Sequence, residues 1–184
     1  MGSCLVHGSP KQRQVSESDD PLKAWYRARD LLATVSEYAA EAGVTYVLEP
    51  LGPPDTNFIN TVADAVQLIT SIGNSVLRTM IDTCAAGIGE ASSIPQLIDQ
   101  WLPTGTVAHV HLNDLNRLAP GQGRVSFAPI LNALLRNGYS GVAAVEPFKY
   151  HPDGPTAAAR AIGYLNGILE GLSTTTCTAT QRLS

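Results

Sequence analysis

The chain has 184 residues, 44% of them hydrophobic, which is enough for one domain with a substantial core. Its formal net charge is −4 at pH 7, without a block of Lys or Arg, which argues against a nucleic-acid-binding face. No apolar run reaches the ~18 residues of a membrane span, and the odd number of widely spaced cysteines favours a reducing, cytoplasmic setting.

Short apolar segments alternate with longer amphipathic segments along the chain. The predicted strands cover residues 4–7, 44–48, 75–81, 106–112 and 142–145. The predicted helices cover residues 21–42, 61–72, 94–101, 127–137 and 156–171. This alternation predicts parallel strands joined by crossover helices, with both faces of the sheet covered. We therefore expect an α/β domain over residues 1–172 and a disordered Ser/Thr-rich tail over residues 173–184.

Each predicted strand carries a polar residue at its C-terminal end. These strand-end residues are His7, Glu49, Asp82, His111 and Glu146. One carboxylate at a strand end could be a helix cap, but three of them on successive strands favour a convergent site. In α/β folds the functional site lies at that end of the sheet. By the same argument His7 is a candidate substrate contact.

The stretch from His109 to Arg117 combines two histidines and an arginine at the end of a predicted strand. Because side chains alternate across a strand, His109 and His111 point to the same face. One interpretation is a pair of half-buried histidines on an edge strand, without a functional role. The combination with Arg117 instead favours a site in which His109 and Arg117 could orient hydroxyls or an anionic group of a substrate.

Two glutamates, an aspartate and a histidine supply three hard oxygen ligands and one imidazole. This mixture suits Mn²⁺ first, with Mg²⁺ or Co²⁺ as alternatives, and suits Zn²⁺ less well. A divalent metal there would polarise a substrate carbonyl and stabilise the enediolate formed on deprotonation. A carboxylate on each side of the carbon can take a proton from one face and return one to the other. That is the chemistry of sugar epimerisation and of ketose–aldose isomerisation.

Several motifs together resemble a known enzyme family. They are Glu49-Pro-Leu51, Ile81-Asp-Thr83, His109-Val-His111, Asn116-Arg117, Pro120-Gly-Gln-Gly123, Gly138-Tyr-Ser-Gly141 and Glu146-Pro-Phe148. Their order and spacing resemble the sugar phosphate isomerase/epimerase superfamily, which has a xylose-isomerase-like TIM barrel, and within it the D-tagatose/D-psicose 3-epimerase branch. The resemblance covers residues 4–172, and the turn Gly8-Ser-Pro10 with Gln12-Arg13 is similar to the loop after the fourth strand of that barrel.

The resemblance implies roles for individual side chains. The four metal ligands of the family match Glu49, Asp82, His111 and Glu146. The two glutamates also match the acid/base pair. Arg117 matches an arginine that contacts substrate oxygens. Asp55 lies where the epimerases carry a glutamate near the substrate, which keeps the charge but shortens the side chain by one methylene.

Two features depart from the family pattern. The epimerases carry a histidine three residues after the metal-binding aspartate, where this chain has Ala85, so a substrate-orienting donor is missing. In addition, the five predicted strands match strands four to eight of an eight-stranded barrel, so the N-terminal third is missing. We expect a partial TIM barrel with outer helices and open edge strands, or a homo-oligomer or other association that covers those edges.

The residues and the resemblance together predict a metal-dependent isomerase or epimerase of a sugar or sugar phosphate, with neither nucleic acid nor a membrane as partner. An inosose-dehydratase-like lyase on the same scaffold stays open, because it uses a similar ligand set. An endonuclease-IV-like phosphodiesterase is disfavoured, because it needs several metals and more histidines than the four in this chain. A third alternative is a catalytically incompetent barrel fragment that binds only metal or a partner chain.

Overall fold

The computed structural model describes residues 3–181, with side chains up to residue 173. In this part the strands are β1 (Cys4–His7), β2 (Thr45–Leu48), β3 (Leu77–Asp82), β4 (Val107–Leu112) and β5 (Ala143–Val145). The α-helices are α1 (Pro21–Glu41), α2 (Val62–Ile72), α3 (Thr83–Gly89), α4 (Ile94–Trp101), α5 (Phe127–Arg136) and α6 (Gly154–Gln181). Short 3₁₀ helices cover Lys11–Arg13 and Leu102–Thr104. None of the described helices is both long and apolar enough to cross a membrane.

The strands form one parallel sheet in the order β1-β2-β3-β4-β5. Each connection between neighbouring strands passes through at least one helix, as the alternating sequence pattern predicted. β1 and β5 are the edge strands of the described sheet, which confirms the expected five-stranded partial barrel. β4 pairs with β3 on one side and β5 on the other, so the interpretation of its two histidines as edge-strand residues is wrong.

Local sequence signals fix several helix ends. α1 begins with Pro21 at its first position, and the Asp20 carboxylate accepts a hydrogen bond from a first-turn amide at 2.9 Å. α2 begins at a capping box, in which Thr61 and Asp64 each accept from the other's backbone amide. It ends at Gly73, which adopts the left-handed conformation at φ 74°. The start of α1 and the end of α2 therefore fall where the sequence predicted them.

Two hydrophobic clusters pack the helices against one face of the sheet. The larger cluster joins β3 and β4 to α4, α5 and α6, with Phe127 and Val110 fully buried within it. The smaller cluster joins β2 to α1 and α2 and includes Leu48. Because Val110 faces the helices, strand alternation places His109 and His111 on the opposite, inner face of the sheet.

Two helices differ from the sequence-based expectation. The sequence predicts no helix between residues 82 and 93, where its glycines favour a loop, but Thr83–Gly89 forms α3 because the Asp82 side chain accepts a hydrogen bond from the Ala85 amide and caps the first turn. α6 continues to Gln181, so the boundary expected at Ser173 falls inside a helix. The last residues of the expected disordered tail, 182–184, lie outside the described residues.

Candidate metal centre

Four of the predicted site residues meet at the ends of four neighbouring strands. Glu49 follows β2, Asp82 ends β3, His111 is the last residue but one of β4, and Glu146 follows β5. One ligand atom from each residue lies within 4.8 Å of the other three. Parallel strands bring their C-terminal ends to the same edge of a sheet, which explains why residues far apart in the chain converge here.

The His111 imidazole is in contact with all three carboxylates of this cluster. Its Nδ1 atom lies 2.7 Å from Glu146 Oε2, 3.3 Å from Glu49 Oε1 and 3.8 Å from Asp82 Oδ2. Three of the four residues are buried, whereas 44% of the Glu146 side chain is exposed. Three carboxylates around one imidazole bring more negative than positive charge into a largely buried space. A bound cation would balance that charge, so the donor set fits a divalent metal.

Burial and the contacts within the cluster shift the pKa of two of its residues. Burial raises the pKa of Asp82 to about 6, and the Glu49 carboxylate adds to this increase, while hydrogen bonds from a backbone amide and from Asn113 oppose it. Burial alone would lower the pKa of His111, but hydrogen bonds to Glu146 and Glu49 raise it to about 9. In this arrangement the imidazole is a protonated partner for the carboxylates at pH 7.

Asn113 is fully buried behind the cluster and is hydrogen-bonded to two of its residues, Asp82 and Glu146. Its Nδ2 atom donates to Asp82 Oδ2 at 2.8 Å and to the backbone carbonyl of Glu146 at 3.1 Å. Its Oδ1 atom accepts hydrogen bonds from the Cys84 amide at 2.8 Å and from the Thr83 hydroxyl at 3.0 Å. These bonds fix the Asp82 carboxylate relative to the strand end that carries Glu146.

The turn after β1 leaves space for the Glu49 side chain. β1 pairs with β2 so that His7 is level with Leu48, which puts Gly8 beside Glu49. A Cβ atom at Gly8 would lie 1.8 Å from Glu49 Oε2, well inside van der Waals contact. The observed position of the Glu49 carboxylate therefore requires glycine at position 8.

Arg117 and Asp55 form an ion pair beside the cluster. Arg117 Nη2 donates to both Asp55 carboxylate oxygens, at 2.8 and 3.0 Å, and the guanidinium lies over the Phe148 ring at 5.8 Å. The Arg117 backbone has a φ of 65°, which non-glycine residues rarely adopt. Its carbonyl accepts hydrogen bonds from the Phe148 and Lys149 amides, both at 3.0 Å, and these bonds hold the residue in place.

A cavity of about 540 Å³ opens above the cluster, a size within the ~300–1,000 Å³ typical of small-molecule sites. The predicted site residues that line it are Glu49, Asp55, His111, Arg117 and Glu146. Asp82 lies behind this lining, with only 4% of its surface exposed. The cavity therefore presents two glutamates, an imidazole and an Asp–Arg pair to a ligand.

The structure separates the other two histidines that were predicted for the site. His109 is buried beside His111, with their ring centroids 4.8 Å apart, and burial together with the neighbouring His111 lowers the pKa of His109. His7 points to the opposite face of the sheet from Gly8, and its Nδ1 atom lies 2.9 Å from the Tyr46 hydroxyl. The structure thus brings His109 to the cluster, whereas His7 lines a different cavity.

Sequence reasoning did not find the roles of Asn113 and Gly8, although the sequence carried a signal for each. Asn113 lies two residues after His111, and the period of a strand puts it on the same face. Gly8 directly follows a strand that neighbours one delivering a carboxylate, and glycine at such a position often marks a close approach. Neither signal identifies the partner atom without the pairing of the strands.

A parallel β/α sheet with functional side chains at the C-terminal ends of its strands is typical of the TIM-barrel class, and the carboxylates and imidazole gathered there fit a metal ion. The chain belongs to the xylose isomerase-like TIM barrel family, whose model matches residues 1–168. Over 123 residues it is 34% identical to a D-psicose 3-epimerase from Enterocloster bolteae, covering 66% of this chain and 40% of the relative. Over 124 residues it is 32% identical to an L-ribulose 3-epimerase from Mesorhizobium japonicum, covering 67% and 41%. The predicted family is confirmed.

Solved structures show the same partial overlap. A D-psicose 3-epimerase from Clostridium cellulolyticum H10, determined with D-tagatose, matches with a TM-score of 0.69 and 26% identity, over 79% of this chain and 50% of that chain. An L-ribulose 3-epimerase matches in fold with a TM-score of 0.78 and 24% identity, over 97% and 65%. The chain spans about two fifths of the length of the D-psicose and L-ribulose 3-epimerases from Enterocloster bolteae and Mesorhizobium japonicum, and it forms part of the family's barrel.

Proposed function

We propose that the protein is a divalent-metal-dependent isomerase or epimerase of a sugar or sugar phosphate, acting by proton transfer through an enediolate. The observation that carries this proposal is the convergence of four ligand atoms within 4.8 Å beneath a cavity of about 540 Å³. Glu49, Asp82, His111 and Glu146 would hold the metal, with Mn²⁺ as first choice and Mg²⁺ or Co²⁺ as alternatives. When bound, the cation would polarise the substrate carbonyl and stabilise the enediolate.

The two glutamates are the proposed acid/base pair. Glu49 and Glu146 come from β2 and β5, on either side of the two strands that carry the other ligands. Carboxylates that approach a substrate from two sides allow one to remove a proton and the other to return a proton to the opposite face of the same carbon. Because Glu146 is 44% exposed, it can exchange its proton with solvent, whereas Glu49 is buried.

Arg117 and Asp55 are the proposed substrate-orienting groups, because both line the cavity and present charged atoms to it. His109 supports the site from beside His111, and the orientation of His7 gives no support to its predicted role as a substrate contact. The similarity to D-psicose and L-ribulose 3-epimerases supports a ketose as substrate. Ala85 carries no side-chain donor, so we propose a ketose other than a free ketohexose.

A cyclic polyol ketone is the second candidate substrate. Over 129 residues the chain is 27% identical to an inosose isomerase from Halalkalibacterium halodurans, covering 65% of this chain and 45% of the relative. An inosose-type lyase would use the same four ligands but would eliminate water instead of returning the proton. Product analysis separates the two reactions, because dehydration lowers the substrate mass and epimerisation leaves it unchanged.

We also propose that the edge strands β1 and β5 are covered in the working protein, by a second copy or another polypeptide. Leu5 on β1 is 51% exposed and Val142, just before β5, is 56% exposed. Uncovered edge strands with apolar side chains promote association.

A metal-binding chain without turnover would support the alternative of an incompetent fragment. A cytoplasmic location stays a prediction from cysteine usage.

Solvent-deuterium exchange at the substrate carbon tests the proposal directly. The protein is incubated in D₂O with Mn²⁺ and a panel of ketoses, ketose phosphates and inososes, and incorporated deuterium is measured by mass spectrometry. Proton abstraction alone gives exchange, so the test does not require complete turnover. We expect E146Q to abolish exchange and weaken Mn²⁺ binding, whereas E37Q, on an exposed face of α1, should behave as wild type. Undiminished exchange by E146Q would contradict the proposal.

A further inference from the structure

A second cavity lies on the opposite face of the sheet, between α1, α2 and the loop after β1. His7 and Leu48 line it, whereas the next residues along the chain, Gly8 and Glu49, line the cavity of the metal centre. Its volume is about 230 Å³, below the ~300–1,000 Å³ of sites for drug-sized molecules, so an occupant would be small. Most of its wall is apolar, including Leu32, Phe58 and Leu68.

The charge on this wall is positive. Among the described residues that line the cavity, Arg13 and Arg27 are basic and none is acidic. Arg27 is an exposed residue that already pairs with Asp19 at 3.4 Å. His7 is engaged by the Tyr46 hydroxyl, and burial together with the charge of Arg13 lowers the pKa of this imidazole. Arg13 is therefore the cation that dominates the interior of the cavity.

The guanidinium of Arg13 has no hydrogen-bond acceptor among the described residues. Its Nε, Nη1 and Nη2 atoms are all buried and all lack a partner. A guanidinium has five N–H donors, and burying such a charge without a partner is strongly unfavourable. Burial lowers the pKa of Arg13, and the nearby Glu49 carboxylate offsets that effect without forming a hydrogen bond with it. An acceptor group is missing from the described surroundings of Arg13.

The segment that carries Arg13 is held in place. Lys11–Arg13 forms a 3₁₀ helix, and Val15, just after it, is hydrogen-bonded to the loop before α2. There the Val15 amide donates to Asn57 Oδ1 at 2.9 Å, and Asn57 Nδ2 donates to the Val15 carbonyl at 2.8 Å. Because these two bonds join the segment to the loop before α2, the guanidinium is held against the cavity wall before a ligand arrives.

We propose that this cavity binds a small anion that carries a carboxylate or phosphate group, with the Arg13 guanidinium as its charged partner. The planar guanidinium donates two parallel hydrogen bonds to such a group, which satisfies donors that are otherwise buried and unpaired. An apolar remainder of the ligand would pack against the leucines and Phe58. The site is separate from the metal centre, since the two cavities open on opposite faces of the sheet.

Anion-dependent stability tests this site. Urea unfolding of the metal-free protein is measured with increasing inorganic phosphate or butyrate, at ionic strength held constant with NaCl. A ligand that binds only the folded state raises the unfolding midpoint with its concentration. We expect this increase for wild type and for R160M, a control on an exposed position of α6, but not for R13M. A larger response to phosphate would identify a phosphate site, and a larger response to butyrate a carboxylate site.

The same variants give a second, opposite readout in the absence of either anion. R13M removes an unpaired buried cation, so its midpoint should equal or exceed that of wild type. Calorimetric titration of R13Q, which keeps polarity but not charge, should show at least a tenfold loss of affinity. Equal anion responses in wild type and R13M would overturn the proposal and indicate adventitious ions only. A strongly destabilised or unfolded R13M would overturn it too, because the Glu49 carboxylate would then compensate the buried guanidinium without a ligand.

Discussion

His111 Nδ1 and Glu146 Oε2 lie 2.7 Å apart, the shortest contact between side chains of the metal centre. This contact joins β4 to the exposed end of β5 and, with the contact to Glu49, raises the pKa of the imidazole to about 9. A metal can bind the same nitrogen only after its proton has left. At the proposed metal site, metal binding and protonation of His111 therefore compete.

We predict that Mn²⁺ binding releases about one proton at pH 7 and that its apparent affinity rises about tenfold per pH unit up to pH 9. The reason is that His111, with a pKa of about 9, is protonated below that pH and must become neutral to bind metal. Below about pH 6 the Asp82 carboxyl, with a pKa of about 6, holds a second proton and the dependence steepens. Calorimetry in two buffers of different ionisation enthalpy measures the released protons.

H151N, which alters an exposed histidine outside the cluster, should release the same number of protons as wild type. A constant affinity between pH 6.5 and 8.5 would show that the imidazole is already neutral before metal arrives. It would also show that the contact with Glu146 does not hold a proton.

We predict that G8A lowers Mn²⁺ affinity by about 10- to 100-fold, a loss typical when the support of a metal ligand is disturbed. An added Cβ would lie 1.8 Å from Glu49 Oε2, so the carboxylate has to move away from its position in the cluster. G167A is the matched control, since a Cβ at that helical glycine meets nothing within 4 Å. Titration of each variant with Mn²⁺ checks the prediction, and equal affinities would show that Glu49 can bind from another rotamer.

The convergence of the four proposed ligands was predictable because it depends only on strand ends. A parallel sheet brings the C-terminal ends of its strands together, so Glu49, Asp82, His111 and Glu146 could be grouped without coordinates. The face of the sheet to which a strand-end residue points is harder to predict, because it depends on how the strand pairs with its neighbour. β1 is short, and only its pairing with β2 shows that Gly8, and not His7, faces the metal centre.

Helix capping explains why α3 forms where the sequence predicts no helix. Two glycines in the segment after β3 favour a loop, but the Asp82 carboxylate caps the first turn and a short helix forms. The same side chain is a proposed metal ligand, and its two oxygens have different contacts. Oδ1 accepts from the Ala85 amide, whereas Oδ2 accepts from Asn113 and lies 3.8 Å from His111 Nδ1.

We predict that N113A weakens Mn²⁺ binding by about 10- to 100-fold and lowers the free energy of unfolding by about 1–3 kcal/mol. The substitution removes the donor to Asp82 Oδ2 and leaves the buried Cys84 amide without its acceptor. N166A, at an exposed position on α6, is the matched control. Metal titration and urea unfolding check the two effects. A loss of stability with unchanged metal affinity would show that Asn113 supports the fold but not the ligand.

We predict that R117M raises the KM for the ketose substrate by about 10- to 100-fold and leaves Mn²⁺ affinity unchanged. Arg117 contacts Asp55 at 2.8 and 3.0 Å and lines the cavity, but it is not one of the four residues whose ligand atoms converge. Removing the guanidinium takes away hydrogen bonds to substrate oxygens while the metal ligands keep their positions. Steady-state kinetics and metal titration of the same preparation separate the two effects. If metal affinity fell together with substrate affinity, the Arg117–Asp55 pair would be part of the support of the metal centre, and its role in orienting the substrate would be wrong.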